Sequence, residues 1–186
     1  MQYSCGVLTS DRDSSTQAQF PQRRGAVAEL LAEDVGLLLR KKGLTISAAE
    51  SCTGGRVGDL LTNVSGSSDY FLGGVISYSN RAKVELLGVS EKTLAAKGAV
   101  SDEVARQMAA GVRKSVHTDI GVGITGIAGP LGGTPGKPVG LVYIAVSSRR
   151  GTVSSKNLFK GSRMQVKKQS ANRALEMVKE FVSKKY

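Results

Sequence analysis

Strand-like apolar segments alternate with amphipathic segments along most of the chain. The clearest repeat begins with a helical pattern that ends at Gly43, continues as a short buried strand over 44–49, and resumes a helical pattern after Gly55. Parallel strands that are joined by helices bury both faces of their sheet. The alternation therefore predicts an α/β fold, a three-layer α/β/α sandwich with a mixed sheet of about five strands.

The predicted helices rest on apolar residues that recur at intervals of three and four positions. The first such stripe contains Val27, Leu30, Leu31, Val35, Leu38 and Leu39. Polar residues that precede these stripes predict where helices begin. We expect caps at Asn80, Ser90 and Ser101, and a capping box that Ser162 and Gln165 form at the start of the last helix.

Further strands are predicted over 73–79, 120–125, 139–147 and 152–159. Segment 126–138 is rich in Gly and Pro and is predicted to be a loop. The link between the last two strands is short enough for a hairpin, so the last strand is expected at an edge of the sheet. This antiparallel pair is what makes the predicted sheet mixed.

The chain is long enough for one sizeable core, because it has 186 residues of which 40% are hydrophobic. We expect a single domain over residues 25–186. Residues 1–24 are rich in Ser, Gln and Arg without an apolar period, which predicts an arm outside this domain. The arm has the Arg and Ser content of an organellar targeting segment, although Asp11 and Asp13 are atypical of one.

Several classes of protein are disfavoured by composition. No apolar run approaches the roughly 20 residues that a membrane-spanning helix needs. The two cysteines, Cys5 and Cys52, are too few for a disulfide framework or a cysteine-based metal site. We therefore expect a cytoplasmic protein without membrane contact and without a metal or redox cofactor.

Positive charge is concentrated near the C-terminal end. The net charge is +11, and residues 149–186 contain eleven basic and two acidic residues, whereas residues 25–148 contain twelve and eleven. Most basic residues of the last predicted helix lie opposite its apolar stripe. A solvated surface explains them, with an anionic ligand as the alternative, because charge informs on association rather than on fold. Nucleic acid is not the expected partner.

Two glycine-rich segments resemble nucleotide-binding motifs but lack their context. The glycines of segment 121–126 have G-x-G-x-x-G spacing, yet they begin inside a strand and lead into a loop, and no acidic residue follows about 20 positions later. Segment 132–137 resembles a P-loop, but Leu131 stands at the first glycine position and Pro138 replaces the Ser or Thr. Neither segment is interpreted as a nucleotide-binding motif.

Ser51 is the best candidate for a catalytic nucleophile. It directly follows an apolar strand, opens a helix, and precedes Gly54 and Gly55, which allow close approach to the backbone. The amides of Thr53, Gly54 and Gly55 would lie at the start of that helix, where an oxyanion or a phosphate can bind. The alternative for Ser51 is an ordinary N-cap serine.

The base that activates such a serine is not expected to be histidine. The single histidine, His117, is predicted at the end of a basic helix, where it caps carbonyl groups or meets solvent. A lysine whose pKa is lowered by burial is the usual substitute. The expected arrangement is therefore a Ser-Lys pair, although Lys83 taken alone is typical of a surface charge.

Several short segments occur together in a specific order. They are AAESCTGG (48–55), GSS (66–68), YSN (78–80) followed by Lys83, LGV (87–89), KGAVS (97–101), GITGIAGP (123–130), KPVG (137–140) and FKGSR (159–163). In this order and spacing they resemble the CinA C-terminal domain family over residues 27–182. Many family members carry a second, larger N-terminal domain, whose activity is not expected of this sequence.

The resemblance implies hydrolysis of the carboxamide of nicotinamide mononucleotide to nicotinate mononucleotide and ammonia, the reaction of the family's stand-alone members. It implies Ser51 as the nucleophile and Lys83 as the base. It further implies that Tyr78, Thr125 and Arg163 bind the substrate, a small phosphorylated nucleotide. A homo-oligomer is also implied.

Each of these residues has a local alternative. Tyr78 and Thr125 carry hydroxyls that can hydrogen-bond within the fold, and Arg163 can be a surface charge at a helix start, where a cation without an anion is unfavourable. The alternative function is a non-catalytic adaptor in DNA uptake or repair, suggested by the family's association with competence and by the basic C-terminal segment. DNA binding by an adaptor would weaken steeply with salt and survive Ser51→Ala.

Overall fold

A computed structural model describes residues 23–186, with side chains described from residue 28 onward. The predicted arm, residues 1–24, lies outside the described residues except for its last two positions, which belong to the first helix. Within the described residues the strands are β1 (Ile46–Glu50), β2 (Phe71–Ile76), β3 (Ile120–Gly126), β4 (Leu141–Ser148) and β5 (Gly151–Leu158). The helices are α1 (Arg23–Lys42), α2 (Arg56–Thr62), α3 (Asn80–Leu87), α4 (Glu91–Lys97), α5 (Asp102–Ser115) and α6 (Arg163–Lys185).

The five strands form one mixed sheet in the order β2-β1-β3-β4-β5. β1 pairs in parallel with β2 on one side and with β3 on the other. β4 is antiparallel to both β3 and β5, so β5 is an edge strand, as predicted. The carboxyl ends of the three parallel strands meet at one edge of the sheet, where ligand sites of α/β folds form.

Helices cover both faces of this sheet. α1, α2 and α6 pack together on one face, and α3, α4 and α5 pack on the other. On β1, Ala48 belongs to the core under the first group and Ala49 to the core under the second. All five residues of β1 are buried, as expected of a strand that is covered on both faces. The predicted α/β/α sandwich with a mixed five-stranded sheet is therefore confirmed.

Two glycines of β3 allow α5 to approach the sheet closely. A Cβ at Gly121 would lie 2.1 Å from the carbonyl oxygen of Ala109, and a Cβ at Gly123 would lie 2.3 Å from that of Ala105. Either methyl group would overlap with the helix backbone. The G-x-G-x-x-G spacing thus serves the packing of a helix on a strand, which explains why it lacks the context of a dinucleotide loop.

Helix starts follow the predicted caps with one exception. Ser90 and Ser101 cap α4 and α5, and Ser162 opens α6 with the predicted capping box. The prediction of Asn80 as a cap was wrong. Ser79 caps α3 instead, because its hydroxyl reaches the amide of the third helical residue, and Asn80 is already the first residue of the helix.

One strand boundary and one core residue also differ clearly from the sequence prediction. β2 spans Phe71–Ile76 rather than 73–79, because residues 77–79 form the turn and cap that lead into α3. Leu30 was predicted in the apolar stripe of α1 but is 58% exposed. The buried hydrophobic residues of α1 are Ala28, Ala32, Val35 and Leu39, on a helix that packs against α6 and α2. No helix within residues 23–186 combines the length and apolar character needed to cross a bilayer.

Candidate active site

The loops that follow the three parallel strands enclose a cavity of about 260 Å³. Ser51 follows β1 directly, Lys83 is reached after β2 on α3, and Thr125 lies near the end of β3. Tyr78 and Arg163 also line this cavity. Five of the eight predicted site residues therefore line one cavity, although they are spread over more than 100 positions of the sequence.

Ser51 and Lys83 are in direct contact. Lys83 Nζ lies 3.0 Å from Ser51 Oγ. The ammonium also donates to the backbone carbonyl oxygen of Ser77 at 2.7 Å and to that of Tyr78 at 3.4 Å. The Lys83 side chain is nearly inaccessible, with 1% exposed, so it is not the surface charge that a lysine on a short helix usually is.

The surroundings of Lys83 favour its neutral form. Burial lowers the pKa of the Lys83 ammonium, because the charged form loses hydration. None of the described carboxylates forms an ion pair with it that would offset this loss. Burial also raises the pKa of the neighbouring Cys52 thiol to about 11, so this thiol is protonated at neutral pH and contributes no negative charge. Deprotonation of Lys83 is therefore easier than deprotonation of an exposed lysine.

The other three predicted site residues in the cavity, Thr125, Arg163 and Tyr78, form hydrogen bonds that connect its loops. Thr125 Oγ1 donates to the carbonyl oxygen of Ala99 at 2.7 Å, which ties the end of β3 to the loop before α5. The guanidinium of Arg163 donates to the carbonyl oxygen of Gly129 at 2.8 Å and to the hydroxyl of Tyr78 at 3.1 Å. The local hydrogen bonds considered for Tyr78 and Thr125 are thus present, within the wall of the same cavity.

Glu50 fixes the turn that carries Ser51, and the sequence interpretation missed it. Its side chain is buried, with 2% exposed. Its Oε2 accepts from the amide of Gly55 at 3.0 Å, and its Oε1 accepts from the amides of Val57 at 2.9 Å and Gly58 at 3.0 Å. The carboxylate therefore satisfies the first amides of α2, which is a favourable place for negative charge.

Comparison with known proteins places the chain in a family. Residues 28–182 match the family described as CinA C-terminal domain. The chain belongs to the CinA family. A CinA-like protein of Rippkaea orientalis is 57% identical over 131 residues, which are 70% of this chain and 32% of that protein. A CinA-like protein of Kosmotoga olearia is 52% identical over 155 residues, which are 83% of this chain and 38% of that protein.

The chain thus spans about a third of the length of these curated CinA relatives. Solved structures match it over nearly their full length. The competence/damage inducible protein CihA from Agrobacterium tumefaciens has a TM-score of 0.81 at 37% identity, covering 88% of this chain and 98% of that chain. A CinA superfamily protein from Klebsiella pneumoniae has a TM-score of 0.81 at 31% identity, covering 84% and 98%.

Three predicted binding residues of this CinA domain lie away from the cavity. Thr53, Gly54 and Gly55 are not part of its lining, and Thr53 is fully buried. The amide of Gly55 is occupied by the Glu50 carboxylate. Gly54 and Gly55 have φ angles of +64° and +94°, so these glycines serve the tight turn between β1 and α2. One of the three amides that were predicted to bind a substrate, that of Gly55, therefore donates to an internal carboxylate instead.

The CinA cavity also has walls that the sequence interpretation did not assign. Ala99 and Val100 contribute one loop, and residues 126–132 contribute another. Both loops lie within segments that carry the family resemblance, which was the signal available in the sequence. Among the described side chains, no group of three or more His, Cys, Asp or Glu is placed to hold a metal ion.

The role of Glu50 gives a stability prediction. We expect Glu50→Ala to lower the free energy of unfolding by about 3 kcal/mol, because three amides lose a charged acceptor in a buried place. Glu50→Gln should cost less, since its amide oxygen still accepts a hydrogen bond. Urea unfolding of the two variants beside the wild type measures the difference, and an unchanged midpoint for Glu50→Ala would contradict this role.

Proposed function

We propose that this CinA domain hydrolyses the carboxamide of nicotinamide mononucleotide to nicotinate mononucleotide and ammonia. The observation that carries the proposal is the 3.0 Å contact between Lys83 Nζ and Ser51 Oγ at the buried end of an open cavity. A hydroxyl beside a desolvated amine is the arrangement that Ser-Lys hydrolases use to make serine nucleophilic. Family membership supports the same reaction, as the sequence resemblance implied.

The carbonyl groups around Lys83 support a general-base role for its neutral form. A neutral amine has two N–H groups and one lone pair. The carbonyl oxygens of Ser77 and Tyr78, at 2.7 and 3.4 Å, can take the two N–H groups. The lone pair is then directed to the remaining neighbour, the hydroxyl of Ser51, so the two carbonyls orient the amine for proton transfer.

The proposed reaction then proceeds in two halves. Ser51 Oγ bonds to the carboxamide carbon while its proton moves to Lys83 Nζ. The C–N bond breaks as Lys83 returns that proton to the leaving nitrogen, which departs as ammonia and leaves an ester on Ser51. Water attacks this ester with Lys83 again accepting a proton, which then returns to Ser51 Oγ as nicotinate mononucleotide leaves.

Arg163 is the proposed partner of the substrate phosphate. It is an exposed cation in the cavity lining, and among the described residues its guanidinium donates to neutral oxygens only, those of Gly129 and Tyr78. A phosphate can accept two parallel hydrogen bonds from a guanidinium, which makes arginine a strong partner for this group. Binding there would orient the carboxamide toward Ser51 from a distance.

The phosphate assignment predicts a substrate preference. We expect kcat/KM for nicotinamide mononucleotide to exceed that for nicotinamide riboside by about 10- to 150-fold, since a charge-assisted contact contributes about 1.5–3 kcal/mol. Arg163→Ala should shrink this ratio mainly by reducing activity on the mononucleotide. Ammonia release from the mononucleotide, the riboside and free nicotinamide measures it.

The control for this prediction is Arg81→Ala, which removes a cation that Glu85 already pairs on the surface of α3. It should leave the ratio unchanged. Equal kcat/KM for the mononucleotide and the riboside in the wild type would remove the basis for a phosphate site. Ammonia release from all three compounds at one rate would likewise rule out selection by Arg163.

A further inference from the structure

A second cavity lies at the opposite edge of the sheet from Ser51. Its volume is about 380 Å³, and its lining residues are Arg113, Lys114, His117, Thr118, Asp119 and Arg149. Asp119 directly precedes β3, whereas the catalytic cavity lies where β3 ends. A strand of seven residues separates the two edges by roughly 20 Å. The two cavities are therefore distinct.

The charges that line this second cavity are mostly positive. Arg113 and Lys114 come from the last turn of α5, and Arg149 comes from the turn between β4 and β5. None of these three cations forms an ion pair with a carboxylate among the described side chains. The one acidic residue of the lining, Asp119, has its Oδ2 engaged by the amide and the hydroxyl of Thr45, both at 2.9 Å.

Arg113 is held in place but incompletely satisfied. Its Cβ packs over Gly121, where an added Cβ would come within 2.7 Å of it, so this glycine makes room for the arginine stem. Its Nε is buried and has no hydrogen-bond partner within the described part of the chain. A buried donor of a charged group is costly without an acceptor. The terminal Nη groups of a guanidinium can donate in parallel to two oxygens of an anion.

The C-terminus of α5 opposes an anion here only weakly. The carbonyl oxygens of its last turn already accept hydrogen bonds, those of Val112, Arg113 and Lys114 from the amides of Val116, Thr118 and His117. The partial negative charge of a helix end comes from its unsatisfied carbonyl groups, so it is reduced at this helix. Three nearby side-chain cations outweigh what remains.

We propose that this cavity is a second anion site, which binds the diphosphate group of a small molecule such as pyrophosphate or a nucleoside diphosphate. Three cations on two elements around one cavity suit a ligand with several adjacent negative oxygens better than a single carboxylate. The proposal goes beyond the proposed amide hydrolysis and does not depend on it, because binding is measured without turnover.

The test is calorimetric titration of the full chain with inorganic pyrophosphate, ADP and adenosine at low ionic strength. We expect pyrophosphate and ADP to bind and adenosine not to bind. Binding should persist in Arg163→Ala, which removes the cation of the catalytic cavity. It should weaken about tenfold or more in Arg113→Gln and in Arg149→Gln, in line with the loss of a charge-assisted contact.

Arg150→Gln is the matched control, since Arg150 occupies the same turn as Arg149 but stacks on the Tyr186 ring with its Cζ 4.0 Å from the ring centroid. It should bind pyrophosphate as the wild type does. Arg149 is exposed, so its variant keeps the test valid if Arg113→Gln fails to fold.

Three results would each overturn the proposal. They are equal weakening of pyrophosphate binding by Arg150→Gln, loss of binding in Arg163→Ala alone, and no pyrophosphate binding by the wild type. Displacement of pyrophosphate by duplex DNA at equal phosphate concentration would also overturn it, in favour of a nucleic-acid surface.

Discussion

Ser51→Ala is expected to reduce kcat for ammonia release about a millionfold, the loss that is typical when the nucleophile of a covalent mechanism is removed. In the proposed mechanism the Ser51 hydroxyl oxygen attacks the carboxamide carbon, which an alanine side chain cannot do. The neighbouring Cys52 thiol is not a substitute, because burial raises its pKa to about 11 and keeps it protonated. Assays of ammonia release at saturating nicotinamide mononucleotide measure this loss of kcat.

Ser90→Ala is the control for this substitution. Ser90 caps α4 and does not line the catalytic cavity, so its loss should cost stability of about 1 kcal/mol and leave kcat unchanged. Ser51→Ala should change the free energy of unfolding by no more than the loss of one hydrogen bond, about 1 kcal/mol. More than a thousandth of wild-type kcat in Ser51→Ala would show that another group is the nucleophile. DNA binding that depends steeply on salt and is indifferent to this substitution would instead favour the adaptor.

Lys83→Arg is expected to lower kcat by about 10⁴-fold, because a guanidinium keeps its proton and cannot act as a base. Lys83→Met should lower kcat by as much. Methionine matches the buried lysine more closely in shape, since it retains an apolar stem and carries no charge. Both variants are assayed with saturating nicotinamide mononucleotide. A substantially active Lys83→Arg enzyme would reduce Lys83 to an electrostatic role.

The lowered pKa of Lys83 also predicts how activity and stability depend on pH. The proposed mechanism requires the neutral amine, so kcat should rise tenfold per pH unit up to the folded pKa of Lys83, which burial holds below the ordinary value of ~10.4. In the unfolded chain the lysine binds its proton more tightly. Folding therefore releases a proton between the folded pKa and ~10.4, and stability rises with pH across that window. Lys83→Met should abolish both trends.

Much of the architecture followed from local chemistry in the sequence. The helix that ends before Gly43 and the caps Ser90 and Ser101 are each specified by a few neighbouring residues and agree with the structure. The strand predicted over 44–49 is present as Ile46–Glu50. The exceptions depend on tertiary packing: Leu30 has helical spacing for the core, but the buried face of α1 carries Ala28 and Ala32, and the leucine is exposed.

The site was predictable in part for the same reason. Ser51 could be selected because it lies at the junction of a strand and a helix, and Lys83 because the family segment YSN precedes it. The distance of 3.0 Å between Ser51 and Lys83 spans 32 positions of sequence and could not be derived from spacing alone. Glu50 escaped notice because a carboxylate at a strand end has many uses. Only the fold reveals that Glu50 accepts from the amide of Gly55, one of the three amides that were expected to face a substrate, and from those of Val57 and Gly58.

The proposed activity of this cavity is the hydrolysis of a carboxamide through Ser51. The most direct test is to incubate the purified protein with nicotinamide mononucleotide and to quantify ammonia and nicotinate mononucleotide in the same samples. We predict equal amounts of both products, which rise in step with the loss of substrate and are absent with Ser51→Ala. Substrate that remains intact in the presence of folded wild-type protein would contradict the claim.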